Sequence, residues 1–97
     1  MASFLLRPKA VRDLAGIWNY TVQTWGESQA DNYIHDLNDS FESLSENPEK
    51  GKSCDDIRKG YKKYYVDKHV VFYRQISKTE IEIIRVLHQA MDINRHL

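Results

Sequence analysis

The sequence has a single cysteine, Cys54, so an internal disulfide is excluded. No histidine neighbours it in sequence to activate it as a nucleophile, and it reads as a neutral loop thiol. The four glycines, Gly16, Gly26, Gly51 and Gly60, lie too far apart to build a phosphate-cradling loop. His35, His69, His88 and His96 are scattered, with no His-x-x-x-His or Cys–His spacing. A metal site, which needs several convergent N or S ligands, is therefore not expected, and no cofactor is implied. No apolar run approaches the ~20 residues that a bilayer-spanning helix needs, and no signal-peptide pattern is present. Net charge is also missing, because 14 basic side chains balance 14 acidic ones. Non-specific nucleic-acid binding draws on phosphate neutralisation by Lys and Arg, so this balance argues against direct nucleic-acid contact. These absences leave one small domain, residues 1–97, expected to be soluble and cytoplasmic.

What is present concentrates between Asp56 and Asp92, which holds most of the β-branched and aromatic residues. Three runs stand out: Arg58 to Val66, His69 to Ile76, and Ile81 to His88. Asp67-Lys68 and Ser77-Lys78-Thr79-Glu80 separate them, polar and short enough for hairpin loops. The spacing predicts a three-stranded antiparallel meander. Strict alternation puts Val70, Phe72, Arg74 and Ile76 on one face and His69, Val71, Tyr73 and Gln75 on the other. In the last run Ile81, Ile83, Arg85 and Leu87 alternate with Glu82, Ile84, Val86 and His88. Both faces are thus rich in apolar groups, so either the chain covers both or one awaits a partner.

Upstream, Met1 to Leu6 reads as an edge strand, and Pro8 opens a helix. Ala10, Val11, Leu14, Ile17, Trp18, Thr21, Val22 and Trp25 form a helical stripe, with Gly26 at the C-cap. This periodicity predicts that Trp18 and Trp25 anchor the helix in the core. A second helix follows from a capping-box-like Ser28-Gln29-Ala30-Asp31, carries Ala30, Tyr33, Ile34, Leu37, Phe41 and Leu44, and stops before Pro48. The short connection makes an antiparallel helical hairpin. A charged loop follows, and residues after His88 form a short tail with room for a turn of helix. The fold class is α+β in two layers: strand, helical hairpin, then meander.

The chemistry on offer is a sheet cluster of Arg58, Tyr61, Tyr64, Tyr65, Tyr73, Arg74, Arg85 and His88. Arg and Tyr on neighbouring strands serve acid–base and phosphate-stabilising sites, and they are equally the types enriched at protein–protein hot spots. Cross-strand packing alone also accounts for any single member.

The pattern Ile17-Trp18-Asn19-Tyr20-Thr21, Trp25-Gly26, Gln29-Ala30, Tyr33, Ile57-Arg58-Lys59-Gly60-Tyr61, Tyr64-Tyr65-Val66, His69 to Arg74, Arg85-Val86-Leu87-His88 and Met91-Asp92 resembles the ParE-type toxins of the RelE/ParE superfamily. The resemblance implies a type II toxin–antitoxin toxin, held inactive by a ParD-like antitoxin. It implies a non-enzymatic toxin that inhibits DNA gyrase. RelE-like relatives instead cleave mRNA on the ribosome. Those cleavers are basic and resemble one another in a stretch with an Arg where this chain has Val70, so the gyrase reading is expected over the endoribonuclease one. A relative that only binds antitoxin is a third reading. Arg58, Tyr61, Tyr73, Arg74, Ile84, Arg85 and His88 are the expected contacts for antitoxin or target. An acidic segment should pair with the arginines that rise among the tyrosines.

Overall fold

The computed structural model describes residues 1–97. Strand β1 is Ser3–Leu6, α1 is Pro8–Trp25, and α2 is Glu27–Glu46. After one 3-10 turn at Pro48–Lys50 come β2 (Lys52–Ser53), β3 (Tyr61–Val66), β4 (His69–Gln75), β5 (Glu80–His88) and a terminal turn of helix, α3 (Ile93–His96). The α+β class and the predicted element order hold. The tail does form its turn of helix, with the Asp92 carboxylate accepting from the Asn94 N–H as cap.

The helices join through Gly26 alone, which closes α1 and opens α2. Its φ of +94° lies in the left-handed region that glycine tolerates, and its N–H donates to the Val22 carbonyl. The cap is Gly26, two residues before Ser28 and within the one- or two-residue margin that the Ser28-Gln29-Ala30-Asp31 pattern allows, and no side chain caps the helix. Glu27 instead places a carboxylate in the first turn, where the helix dipole favours it.

The meander is the centre of a five-stranded sheet ordered β1-β5-β4-β3-β2. β1 is an edge strand, as expected, and runs parallel to β5, with Ser3 opposite Glu80 and Leu6 opposite Ile83. β2 pairs only two residues with β3 and is too short to show as periodicity. The β3–β4 turn has two residues and no glycine, and Asp67 takes the left-handed conformation there at φ 52°.

Strict alternation fails in β5. Phe72 pairs with Arg85 and Tyr73 with Ile83, so Ile84 is an extra, bulged residue. The bulge flips the faces beyond it. Val86, not Arg85 and Leu87, joins Ile81 and Ile83 on the helix side, while Leu87 joins Ile84 on the other.

Two cores result. The larger lies between hairpin and sheet: Ala10, Ile17, Leu37, Phe41 and Leu44 pack on Val71, Tyr73, Ile81, Ile83 and Val86. The smaller lies on the outer face, where Val70, Phe72, Ile84 and Leu87 gather around Cys54 under Ile57, Tyr61, Ile93 and Leu97. The outer face is therefore covered by the chain's own 54–61 loop and terminal helix, and does not lie open for a partner.

The tryptophan expectation needs correction. Trp18 is half-buried and its Nε1 donates to Asp31 Oδ1 at 3.1 Å, whereas Trp25 is 72% exposed. The core takes Ala10, Ile17 and Thr21, and Val11, Trp18 and Trp25 each follow one of these, or lie four beyond one, about 100° or less round the helix. The stripe is wider than the surface it packs against.

Candidate functional site

At the rim of the outer core the chain forms a cleft of about 200 Å³ lined by Arg7, Lys9, Arg58, Tyr61, Ile84, Arg85, His96 and Leu97. Each wall has a local cause. The parallel pairing of β1 delivers Arg7, whose N–H donates to the Ile83 carbonyl, and α1 then starts with Lys9 beside it. The 54–61 loop closes on itself, with Cys54 N–H donating to the Tyr61 carbonyl and Arg58 N–H to the Cys54 carbonyl, and this presents Arg58 and Tyr61. The bulge turns Ile84 outward as the apolar floor.

The cations differ in how they are held. Asp13 of α1 grips Arg85 with two oxygens, each at 2.8 Å, and also accepts the Val86 N–H at 3.0 Å. Only 15% of the Arg85 side chain and 14% of Asp13 are exposed, and the Asp13 hydrogen bond raises the Arg85 pKa. Arg7 and Arg74 share Glu82, at 3.1 and 2.9 Å. Burial works to raise the Glu82 pKa, but the Arg74 and Arg7 hydrogen bonds outweigh it and hold this carboxyl below its ordinary value. Arg58 donates to the Leu97 main-chain oxygen at 2.8 Å and pairs with no Asp or Glu side chain, and Lys9 has no ion pair. The cleft thus holds two cations that no Asp or Glu side chain neutralises, above an apolar floor. Such a surface suits an acidic segment with an apolar anchor.

Arg58, Tyr61, Ile84 and Arg85 of the expected contacts meet in this cleft, and Arg74 joins its edge through Glu82. Tyr73 does not. It is fully buried on the helix side, where its hydroxyl donates to the Pro48 carbonyl at 2.7 Å and accepts the Gly51 N–H at 2.9 Å. Burial raises its pKa. A β-carbon on Gly51 would overlap that hydroxyl, so the glycine permits the contact. His88 is also elsewhere. It lies opposite His69, ring edge to face at 5.4 Å, with its Nδ1 accepting the Ala90 N–H.

Sequence reasoning passed over Arg7, Lys9 and His96, which only the fold brings together. It also passed over Tyr33, whose hydroxyl reaches His69 Nδ1 at 2.6 Å and the Val66 carbonyl at 3.2 Å. Burial pushes the Tyr33 pKa up to about 12, and burial followed by the His88 charge lowers that of His69. Cys54 is buried, and burial raises its thiol pKa, as befits an unreactive thiol. No group of three His, Cys, Asp or Glu side chains converges for a metal. A roomier hollow of about 320 Å³ between β1 and the end of α2 presents Ser and Glu side chains around Phe4 and no cation. No helix is long and apolar enough to cross a membrane.

The family described as "ParE toxin of type II toxin-antitoxin system, parDE" matches residues 4–93 of this chain. The chain belongs to the ParE toxin family. It is 40% identical over 94 residues to Toxin ParE1 of Mycobacterium tuberculosis (strain H37Rv), covering 97% of this chain and 96% of that one. It is also 40% identical over 97 residues to Toxin ParE1 of Caulobacter vibrioides, covering 100% and 99%. The fold matches a solved structure titled "Chromosomal ParDE TA system from P. aeruginosa" with a TM-score of 0.77 at 21% identity, over 91% of this chain and 96% of that one. The α+β architecture is thus that of a ParE toxin, and the chain is the toxin member of a type II toxin–antitoxin pair.

Proposed function

We propose that this ParE-family chain inhibits DNA gyrase by binding and without catalysis, in the cytoplasm, and that a ParD-like antitoxin neutralises it. The antitoxin places an acidic segment in the cleft. The observation that carries the cleft's part is that Lys9 and Arg58 face it with no Asp or Glu side chain paired to either. Arg58 is the first cation such a segment meets, and Tyr61 and Ile84 take its apolar anchor. Arg74 stands at the edge. Tyr73 and His88, buried or turned to the helix side, act through the fold and not as contacts.

The absence of nuclease chemistry is supported by Val70. It lies 2% exposed in the outer core, so the position where the cleavers carry their phosphate-binding Arg is apolar and closed. His88 has no cation of the cleft beside it and stacks on another histidine. DNA contact is expected only through the antitoxin.

Calorimetry with a purified ParD-like antitoxin tests the cleft. Arg58→Glu should weaken binding at least about tenfold, as loss of a charge-assisted contact at an interface centre does. Unchanged affinity would remove the cleft from the antitoxin interface. Codon-specific mRNA cuts on programmed ribosomes that vanish in His88→Ala would replace the gyrase reading with the endoribonuclease one.

A further inference from the structure

We propose that the outer side of the helical hairpin is a second docking surface, built for a basic amphipathic helix of a partner protein. Charge is balanced over the whole chain but not over its parts. Helix α2 carries six of the 14 carboxylates, Glu27, Asp31, Asp36, Asp39, Glu42 and Glu46, and no Lys or Arg. Asp31 fixes which side of α2 faces the flank of α1, because it accepts the Trp18 indole N–H. Glu27, four residues before Asp31, and His35, Asn38 and Glu42 after it share its row at helical spacing, and all are exposed. A row with three carboxylates and no Lys or Arg therefore runs beside Trp18.

The neighbouring row on α1 is apolar. Val11, Ala15, Trp18, Val22 and Trp25 recur at three- and four-residue steps. Val11 is 50% exposed and Trp25 72%, although each lies beside a residue that the core does bury. No element of the chain covers them. From Val11 to Trp25 the row is about 21 Å long, four turns of a facing helix. A helix laid along it would bury its own apolar stripe on α1 and bring its flank against α2. A Lys- or Arg-bearing flank finds ion-pair partners there, since the charged side chains of α2 apart from His35 are all carboxylates. The cleft of the outer face has the opposite sign and takes the opposite kind of segment, so the two surfaces can be filled together. This inference stands without the gyrase or antitoxin reading.

Two synthetic 18-residue helical peptides test it. They share one Leu/Ala face, and one is flanked by Lys and the other by Glu. The chain has only two tryptophans, both in the proposed surface, so their emission reports docking. The Lys-flanked peptide should shift the emission to the blue, and the Glu-flanked one should bind at least about tenfold more weakly. The double substitution Asp39→Lys/Glu42→Lys, away from the first turn of α2, should reverse the preference with the fold retained by circular dichroism. Trp25→Ser should weaken the Lys-flanked peptide. Equal binding of both peptides, unmoved emission, or a preference that survives charge reversal would overturn the proposal. So would sedimentation showing self-association that Trp25→Ser abolishes, because the occupant would then be a second copy. None of these measurements uses the cleft, so their failure leaves the antitoxin reading as it was.

Discussion

Tyr73→Phe removes one oxygen from the middle of the molecule, and its cost follows from the two bonds that oxygen makes. The hydroxyl donates to the Pro48 carbonyl and accepts the Gly51 N–H, tying the segment before β2 to β4. Without it both backbone groups lose their partner. A fully buried orphan costs ~1–3 kcal/mol, but Pro48 and Gly51 are half-buried and water reaches them in part. The lower end for each gives ~2 kcal/mol, a large share of the ~5–15 kcal/mol that a small domain has. For a domain of this length each kcal/mol moves the melting temperature by ~4–8 °C, so a drop of ~8–16 °C is expected by circular dichroism. A second readout is local. The freed segment leads into β2 and Cys54, so Cys54 should react faster with a thiol reagent in native buffer. Gly51→Ala should behave alike, since its β-carbon would overlap the Tyr73 hydroxyl and lie 2.8 Å from the Lys63 carbonyl oxygen. A Tyr73→Phe protein melting within ~2 °C of the parent, with Cys54 still protected, would show that the hydroxyl anchors nothing.

Three further outcomes are expected. Asp13→Asn keeps the shape but removes the charge that holds Arg85, and should cost about 2–4 kcal/mol in urea unfolding, below the full cost for a wholly buried pair; a loss under ~0.5 kcal/mol would make the pair incidental. Burial and the His88 charge lower the His69 pKa, so the unfolded chain takes up a proton there more readily. Stability from this site is then full above the unfolded value of about 6.5 and falls as pH drops below it; His69→Gln should flatten the decline in melting temperature between pH 7 and 5, and an unaltered slope would assign it to other groups. Trp25→Ala should leave stability within ~0.5 kcal/mol, whereas Trp18→Ala should cost clearly more, through lost packing and the Asp31 bond; equal effects would contradict their different burial.

The elements were legible where one period ran unbroken. Pro8, Gly26 and Pro48 punctuate the hairpin by conformations that few other residues share. The meander showed because its breaks are polar and short. The bulge at Ile84 left only a faint trace, a shift of apolar phase from Ile81-Glu82-Ile83 to Ile84-Arg85-Val86, and the adjacent Ile83-Ile84 reads equally as a strand buried on both faces. That single extra residue reassigned Arg85, Leu87 and Val86. Whether the chain or a partner covers the outer face stayed open in the sequence, because the 54–61 loop and terminal helix lend it only Cys54, Ile57, Tyr61, Ile93 and Leu97, too few to show as a pattern. The cleft was legible in part. Arg58, Tyr61, Ile84 and Arg85 come from the aromatic-rich stretch, but Arg7 and Lys9 enter through a parallel strand pairing that no local signal announces.

The central claim is that this chain is a gyrase-directed toxin silenced by its antitoxin, and a supercoiling assay on relaxed plasmid tests it most directly. Purified chain should block ATP-dependent supercoiling by DNA gyrase, and an equimolar amount of the ParD-like partner should restore it. Supercoiling that proceeds undiminished at a large excess of the chain would contradict the claim.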